Sequence, residues 1–300
     1  MMIPAKYKGV ICIVVSAFCF ALMAVFVRLS GDLPTFQKTF FRNFVALFLA
    51  FGVLKKQHIS LRPAHKKNLI PLTIRSLGGV LGMLGNFYAI DKLVLSDALM
   101  LNKMSPFFAI VFSFIFLSEK LTLFQSAAVI TAFAGSLFII KPSFSNVELV
   151  PALAGFLGGL GAGLAYTCVR YLGQHGEKGP YIVAYFSAFS CLFCLPLLII
   201  YYRPMSAGQL MCLLGAGTAA AGGQFAITAA YSCAPAREIS IYDYSQLIFS
   251  TALGFFFFGD IPDRWSFAGY VIIISMAVAN FIYNNRRHAA SQAADPPKNQ

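Results

Sequence analysis

The stretch Ser96–Ile140, SDALMLNKMSPFFAIVFSFIFLSEKLTLFQSAAVITAFAGSLFII, decides the fold of this chain. It contains two apolar segments separated by the short charged turn Ser118-Glu119-Lys120. A second copy lies later in the chain, because one constant shift without a gap aligns Asn102 with Asp243, Phe108 with Phe249 and Glu119 with Asp260. Internal repeats of this kind indicate a structural unit that is used twice.

The composition excludes a soluble protein. Of the 300 residues, 58% are hydrophobic and only 11% are charged, whereas a soluble domain carries about 25% charged residues. The net charge of +12 does not indicate a nucleic-acid partner, because Lys and Arg lie mainly between apolar runs and no basic helix carries interleaved aromatics. The lipid bilayer is the expected partner of this surface.

The apolar runs predict an all-α polytopic membrane protein. A spanning helix needs about 20 apolar residues, and the chain offers ten such segments, at 8–29, 36–54, 69–90, 97–117, 123–140, 152–171, 180–201, 209–231, 238–258 and 265–283. The repeat assigns 1–145 to a first five-helix unit and 146–285 to a second, with 286–300 as a disordered cytoplasmic tail. Because five is odd, the second unit enters the membrane from the opposite side, which gives two inverted five-helix repeats.

The basic residues predict the orientation of these ten transmembrane helices. Lys55, Lys56, Lys66 and Lys67 share one loop, and most other loop Lys and Arg lie on the same side of the membrane. Basic loops stay in the cytoplasm. The expected location is therefore a bacterial cytoplasmic (inner) membrane, crossed many times, with both termini in the cytoplasm.

Polar side chains inside the spans are the candidates for function. An ionisable group near the bilayer centre costs about 2.5–3.5 kcal/mol on insertion scales, so groups that are retained there often bind substrates or ions. The substrate-binding candidates are Arg42, Arg75, Asn86, Tyr88, Asn102, Lys103, Gln224, Tyr242, Asp243 and Gln246. They predict a polar cavity between the third, fourth, eighth and ninth spans. Pro106 removes a backbone hydrogen bond and predicts a kink in the fourth span.

Depth predicts which of these charges pair. With a rise of about 1.5 Å per residue, Lys103 and Asp243 differ in depth by roughly 10 Å or more in unbroken helices. Arg75 is thus the expected partner of Asp243, while Lys103 and Arg75 are expected to attract an anionic substrate group. Structural alternatives remain open: Arg42 and Lys103 can direct their charges towards the membrane surface, and the tyrosines can be packing or interface aromatics.

The ordered set of motifs resembles the drug/metabolite transporter superfamily, in its ten-helix EamA-like branch. The resemblance is carried by Arg42-Asn43, the run from Ser96-Asp97-Ala98 to Ser105-Pro106, the segment Leu117-Ser118-Glu119-Lys120 and Gly135. It implies a carrier with two inverted halves around a central cavity, and spans five and ten at the periphery. The second half departs from the pattern, with Leu247 in place of Pro106 and Met276 in place of Gly135.

The expected function is secondary transport of a small polar or zwitterionic metabolite, amino-acid-like or nucleotide-like, by alternating access. An intramembrane lipid-modifying enzyme is one alternative, but no His, Asp, Glu or Cys cluster at a membrane face predicts catalytic residues. A non-transporting membrane sensor or partner protein is the other alternative. No cofactor and no metal are expected. The partners are a small-molecule substrate and the bilayer, and both a monomer and a homodimer remain open.

Overall fold

The computed structural model describes residues 5–117, 122–140, 148–233 and 240–294, and within these ranges the regular structure is entirely helical. The α-helices are Ala5–Leu29, Thr35–Lys56, Leu69–Lys92, Leu95–Asn102, Ser105–Leu117, Leu123–Ile140, Leu149–Gln174, Gly179–Tyr201, Ala207–Cys233, Ser245–Phe258 and Arg264–Ala294. Short 3-10 helices cover Lys66–Asn68 and Ser240–Tyr244. The turn Ser118-Glu119-Lys120 and the residue Glu238 lie outside the described ranges.

These helices form the ten predicted spans, numbered here 1 to 10 in chain order. Spans 4 and 9 are each made of two helical pieces: Leu95–Asn102 and Ser105–Leu117 form span 4, and the 3-10 helix with Ser245–Phe258 forms span 9. Six stretches in the described part of the chain are long and apolar enough to cross a membrane by themselves, in spans 1, 4, 6, 7, 8 and 10. Spans 2 and 3 are less apolar because they contain buried charged residues.

The two halves pack against each other through equivalent helices. Spans 3 and 6 are in extensive contact, as are spans 1 and 8, and span 2 contacts span 7 while span 5 contacts span 10. A two-fold axis that exchanges the halves would produce this pairing. It exchanges span 1 with span 6 and span 3 with span 8, so the contact of spans 3 and 6 becomes the contact of spans 8 and 1.

The paired helices run antiparallel. Towards the end of span 3, Gly85 approaches Ala154 near the start of span 6, whereas Gly78 approaches Gly161 further along. In spans 1 and 8, Ser16 donates a hydrogen bond to the Gly223 carbonyl, and the Ser30 carbonyl accepts one from Gln209. The fold therefore consists of two inverted repeats, as predicted.

Glycines bring spans 3 and 6 close together. A Cβ atom added at Gly82 would lie 2.9 Å from the Gly158 carbonyl oxygen, and one added at Gly85 would lie 2.5 Å from the Ala154 carbonyl oxygen. Small residues allow helix backbones to approach closely where lipid removes the hydrophobic drive for helix association. These glycines therefore have a packing role.

Loop positions define two ends of the bundle. The Asp260 end contains residues 30–34, 93–94, 202–206 and 259–263, and the Glu177 end contains residues 57–65 and 175–178. These two names are used below, because the ends differ in their polar contacts.

The last helix is longer than predicted. It continues to Ala294, so residues 286–294 are helical and the prediction of a disordered tail from 286 is wrong for this part. The reason is local: Ala, Arg and Gln favour helix, and the first proline of the segment is Pro296. Residues 295–300 lie outside the described ranges.

Candidate functional site

A buried ion pair joins the two repeats at the interruptions of spans 4 and 9. Lys103 Nζ lies 2.5 Å from Asp243 Oδ2, and both residues are less than a tenth exposed. Lys103 follows the helix that ends at Asn102, and Asp243 lies in the 3-10 helix that opens span 9. Each half of the chain thus contributes one charge.

The prediction that depth separates Lys103 from Asp243 is wrong. It assumed continuous helices, but span 4 is interrupted at Lys103 and Met104, and span 9 begins with the tighter 3-10 turn. A 3-10 helix rises by about 2.0 Å per residue instead of about 1.5 Å, and an interruption also changes the direction of the chain. The Lys103 ammonium group and the Asp243 carboxylate therefore meet, although their positions along ideal helices place them at different depths in the membrane.

The interruption of span 4 lies directly before Pro106, which is the second residue of the helix Ser105–Leu117. Span 6 provides room for it with two glycines. A Cβ atom at Gly159 would lie 2.8 Å from the Leu101 carbonyl oxygen, and one at Gly163 would lie 2.8 Å from the Ser105 carbonyl oxygen. The irregular backbone of span 4 therefore packs directly on the backbone of span 6.

The ion pair leaves hydrogen-bonding capacity unused beside Tyr244. Tyr244 donates a hydrogen bond of 3.2 Å from its hydroxyl to the Lys103 carbonyl. Asp243 Oδ1 is buried and has no hydrogen-bond partner, so one oxygen of this carboxylate is left to accept a further donor.

Arg75 does not pair with Asp243, which corrects the pairing that depth predicted. Its guanidinium carbon lies 3.8 Å from the centre of the Phe186 ring in span 7. Arg75 is 5% exposed, and its Nε and Nη1 atoms are buried without hydrogen-bond partners. Phe186 was missed in the sequence because nothing distinguishes it from the other 30 phenylalanines, of a total of 31.

Arg42 is also buried, at 5% exposed, so its charge does not extend to the membrane surface. Its Nη1 atom donates a hydrogen bond of 2.7 Å to Asn43 Oδ1, while its Nε atom has no partner. Asn43 donates in turn to the Thr39 carbonyl at 2.9 Å. Arg42 is thereby held within the protein by its own helix.

The remaining candidates divide by burial. Asn86 and Gln246 are buried, and Asn86 lies against Gly158 of span 6, with an amide oxygen that has no partner. Asn102 and Gln224 are half-buried. Tyr88 and Tyr242 are 37% and 42% exposed. The structure thus brings Lys103, Asp243 and Tyr244 together, and places Asn86 in the packed interface of spans 3 and 6.

A second polar network lies at the Asp260 end and links spans 1, 4, 9 and 10. The Asp260 carboxylate pairs with Arg28 and accepts a hydrogen bond of 3.0 Å from the Leu95 amide. Asp97 accepts hydrogen bonds from the hydroxyls of Ser266 and Tyr270. These contacts cross between the repeats at the Asp260 end.

A separate groove of about 760 Å³ lies between spans 1 and 8. Its lining includes Cys19, Leu22, Phe26, Met211 and Thr218 and contains no charged residue. Because none of the polar candidates lies there, this groove is not part of the candidate site.

The inverted repeats, the interrupted spans and the ion pair between them define a polytopic membrane protein of the transporter class. The EamA-like transporter family matches the chain twice, at residues 7–141 and 149–281, once in each half. The chain therefore belongs to the EamA-like transporter family, within the drug/metabolite transporter superfamily, and is not an enzyme.

Similar proteins support this membership. The chain is 29% identical over 281 residues to the pseudopaline exporter CntI of Pseudomonas aeruginosa, covering 93% of this chain and 98% of that protein. It is 26% identical over 273 residues to an uncharacterized transporter of Helicobacter pylori, covering 89% and 92%. A riboflavin transporter of Vibrio cholerae is 28% identical over 177 residues, which is 57% of each chain.

A solved crystal structure shares the fold. It superposes with a TM-score of 0.67 at 14% sequence identity, covering 93% of this chain and 98% of the other. At this identity the similarity concerns the fold alone.

Proposed function

We propose that this protein is a secondary transporter that moves a small polar or zwitterionic metabolite, amino-acid-like or nucleotide-like, across a bacterial cytoplasmic membrane by alternating access. The observation that carries the proposal is the Lys103–Asp243 ion pair, which joins one interrupted span of each repeat. Interrupted helices at a repeat interface are where carriers bind substrates and coupling ions.

The inverted repeats support alternating access. When two halves of opposite orientation exchange their conformations, a site between them faces first one side and then the other. In this proposal, the contacts of Arg28 with Asp260 and of Asp97 with Ser266 close the Asp260 end. Because Lys55, Lys56, Lys66 and Lys67 lie at or beside the Glu177 end, the positive-inside rule makes that end cytoplasmic, with both termini on the same side.

The relatives suggest where to begin with substrates. One relative is named a pseudopaline exporter and another a riboflavin transporter. We infer for this chain only the coarser class, a polar metabolite with charged groups, because the site holds a cation and an anion side by side. In this proposal Asp243 Oδ1 receives a donor from the substrate or a coupling proton.

Transport by reconstituted protein tests the proposal. Purified wild-type protein, Lys103→Ala, Asp243→Asn and the exposed control Lys92→Ala would be placed in proteoliposomes with labelled amino acids, nucleotides, riboflavin or pseudopaline. We expect the wild type and the control to move at least one of these solutes, in either direction, and both site variants to lose most of the flux. Equal flux in all four proteins would contradict the roles of Lys103 and Asp243.

The same vesicles separate the transporter from a sensor. A carrier moves its solute when it is the only protein present, whereas a sensor does not. A solute that stabilises the purified protein but never crosses the vesicle membrane would therefore favour the sensor.

A further inference from the structure

Two buried arginines have no carboxylate partner among the residues that the structure describes. Among the residues that the structure describes, the buried lysines are paired: Lys38 lies 2.6 Å from Asp91, and Lys103 pairs with Asp243. Arg42 and Arg75 form no such pair with any described residue, although each is 95% buried. The positive charge that remains uncompensated in the bundle is thus carried by these two guanidinium groups.

Both arginines lie where spans 2 and 3 pack on span 7. Arg75 stacks on Phe186 of span 7. In span 2, the carbonyl of Phe40, two residues before Arg42, lies 3.9 Å from Sγ of Cys191, five residues after Phe186. Both arginines therefore belong to one cluster, formed by spans 2, 3 and 7.

Three donor nitrogen atoms of this cluster lack acceptors. Arg42 Nε, Arg75 Nε and Arg75 Nη1 are buried and form no hydrogen bond. A buried donor without a partner destabilises the folded protein, and a buried charge does so much more strongly. Long side chains inside a membrane usually relieve this cost by extending to the surface, but here the Asn43 hydrogen bond and the Phe186 ring hold both groups inside.

The chemistry of the missing acceptor follows from the donors. A guanidinium group presents a planar fork of N–H donors that matches the oxygens of a carboxylate or a phosphate group. Both guanidinium groups are positively charged and buried, so an anion is the ligand that would compensate them. The ring of Phe186 fixes the plane of one fork, which orients its free N–H groups before the anion arrives.

We propose that Arg42 and Arg75 form the subsite that binds the anionic group of the transported substrate, a carboxylate or a phosphate. The inference rests on the proposed transport function and assigns the substrate to the organic anions and anionic zwitterions. It also moves the anion site away from Lys103, whose charge is already neutralised by Asp243. The two charged sites are then distinct: the arginines bind the anionic group, and the Lys103–Asp243 ion pair is a separate site at the interruptions of spans 4 and 9.

Binding to the full-length protein in detergent tests the subsite, because a ligand of the folded state raises the unfolding temperature. The probes are inorganic phosphate and matched pairs that differ by an anionic group: glutamate and glutamine, glycerol 3-phosphate and glycerol, AMP and adenosine, all at constant ionic strength. We expect phosphate and at least one anionic partner to stabilise the wild type more than the neutral partner does. The glutamate and phosphate arms distinguish a carboxylate site from a phosphate site.

Variants connect this effect to the arginines. Arg42→Gln and Arg75→Gln should abolish the preference for the anionic partner, weakening its binding by about tenfold or more, since a charge-assisted pair contributes about 1.5–3 kcal/mol. Arg75→Lys keeps the charge but loses the fork, and should bind with intermediate strength. Arg62→Gln, at an exposed loop position, is the matched control and should bind like the wild type.

Stability without ligand shows whether a variant still folds. Removing an unpaired buried charge should leave the unfolding temperature of Arg42→Gln and Arg75→Gln unchanged or higher, whereas loss of a structural contact would lower it. Equal stabilisation by both partners of every pair, or wild-type anion binding in both glutamine variants, would overturn the subsite.

The subsite and the transport function can fail separately. Transport of a neutral solute that depends on Lys103 and Asp243 but not on the arginines would refute the subsite and leave the transporter. Arginine-dependent anion binding with no flux of any bound anion in proteoliposomes would keep the subsite and refute transport.

Discussion

Lys103 of the first repeat and Asp243 of the second lie 2.5 Å apart at the interruptions of spans 4 and 9. The contact is a direct polar link between the two halves, and the hydroxyl of Tyr244 donates to the Lys103 carbonyl beside it. Both groups are buried, so each is the counter-ion of the other, and the contact links span 4 to span 9.

Removing one partner of this pair should destabilise the protein more than removing both. Lys103→Gln or Asp243→Asn leaves one buried charge unpaired, which costs about 3–5 kcal/mol, whereas the double variant leaves none. Thermal unfolding of the two single variants and the double variant in detergent gives the coupling free energy between the two side chains. Additive losses in the double variant would show that the two side chains do not interact, and Lys92→Gln, which is exposed, controls for the loss of a positive charge.

The glycine contact of spans 3 and 6 should tolerate no side chain. Gly158→Ala places a Cβ atom 2.8 Å from the Gly82 carbonyl oxygen, so the helices must separate, with a loss of about 1–3 kcal/mol. The matched control is Gly52→Ala in span 2, where no atom lies within 4 Å of the added Cβ, and it should stabilise the protein by about 0.5–1 kcal/mol. The unfolding temperatures of both variants check this, and similar values would contradict the close helix contact.

The network at the Asp260 end should control access to the ion pair. Asp260→Asn removes the charge that pairs with Arg28, and a loss of about 1 kcal/mol shifts a two-state population about fivefold. We expect faster labelling, from the Asp260 end, of a cysteine introduced at the buried Ser250 in a background without the native cysteines. Lys92→Gln at the same end is the control, and an unchanged labelling rate in Asp260→Asn would show that this network does not close the site.

The orientation of the repeats can be tested with two equivalent loops. Arg62 follows span 2 and Arg203 follows span 7, so these positions correspond in the two repeats and lie at opposite ends of the bundle. In intact cells, a membrane-impermeant thiol reagent should label Arg203→Cys, and should label Arg62→Cys only after permeabilisation. Labelling of both positions from the same side would contradict the proposed topology.

The sequence predicted most of the architecture. Ten apolar segments and the alignment of Asn102 with Asp243 were sufficient to predict ten spans in two inverted repeats. The length needed to cross a membrane sets the number of spans, and an odd number of spans in each repeat requires the second repeat to be inverted. The sequence also identified Arg42, Arg75, Lys103 and Asp243 as buried functional candidates, because charges inside apolar segments are conspicuous.

The sequence did not predict the partners of these charges. Depth along ideal helices favoured Arg75 for Asp243, but the structure pairs Asp243 with Lys103 and leaves Arg75 on Phe186. A break in a helix changes both the depth and the direction of the residues beside it. Pro106 indicates where the helix of span 4 is interrupted, but it does not give the direction of the chain on either side of the interruption. In span 9 no proline marks the irregular start at Ser240–Tyr244.

The sequence by itself determined the class of this protein, because hydrophobic length, the repeat and the basic loops are properties of the chain that need no partner. The tertiary structure alone decided which charges meet and which remain free. That outcome depends on close contacts between the halves, such as the backbone of span 4 lying on Gly159 and Gly163 of span 6, and contacts between distant segments are set by packing in three dimensions rather than by local sequence pattern.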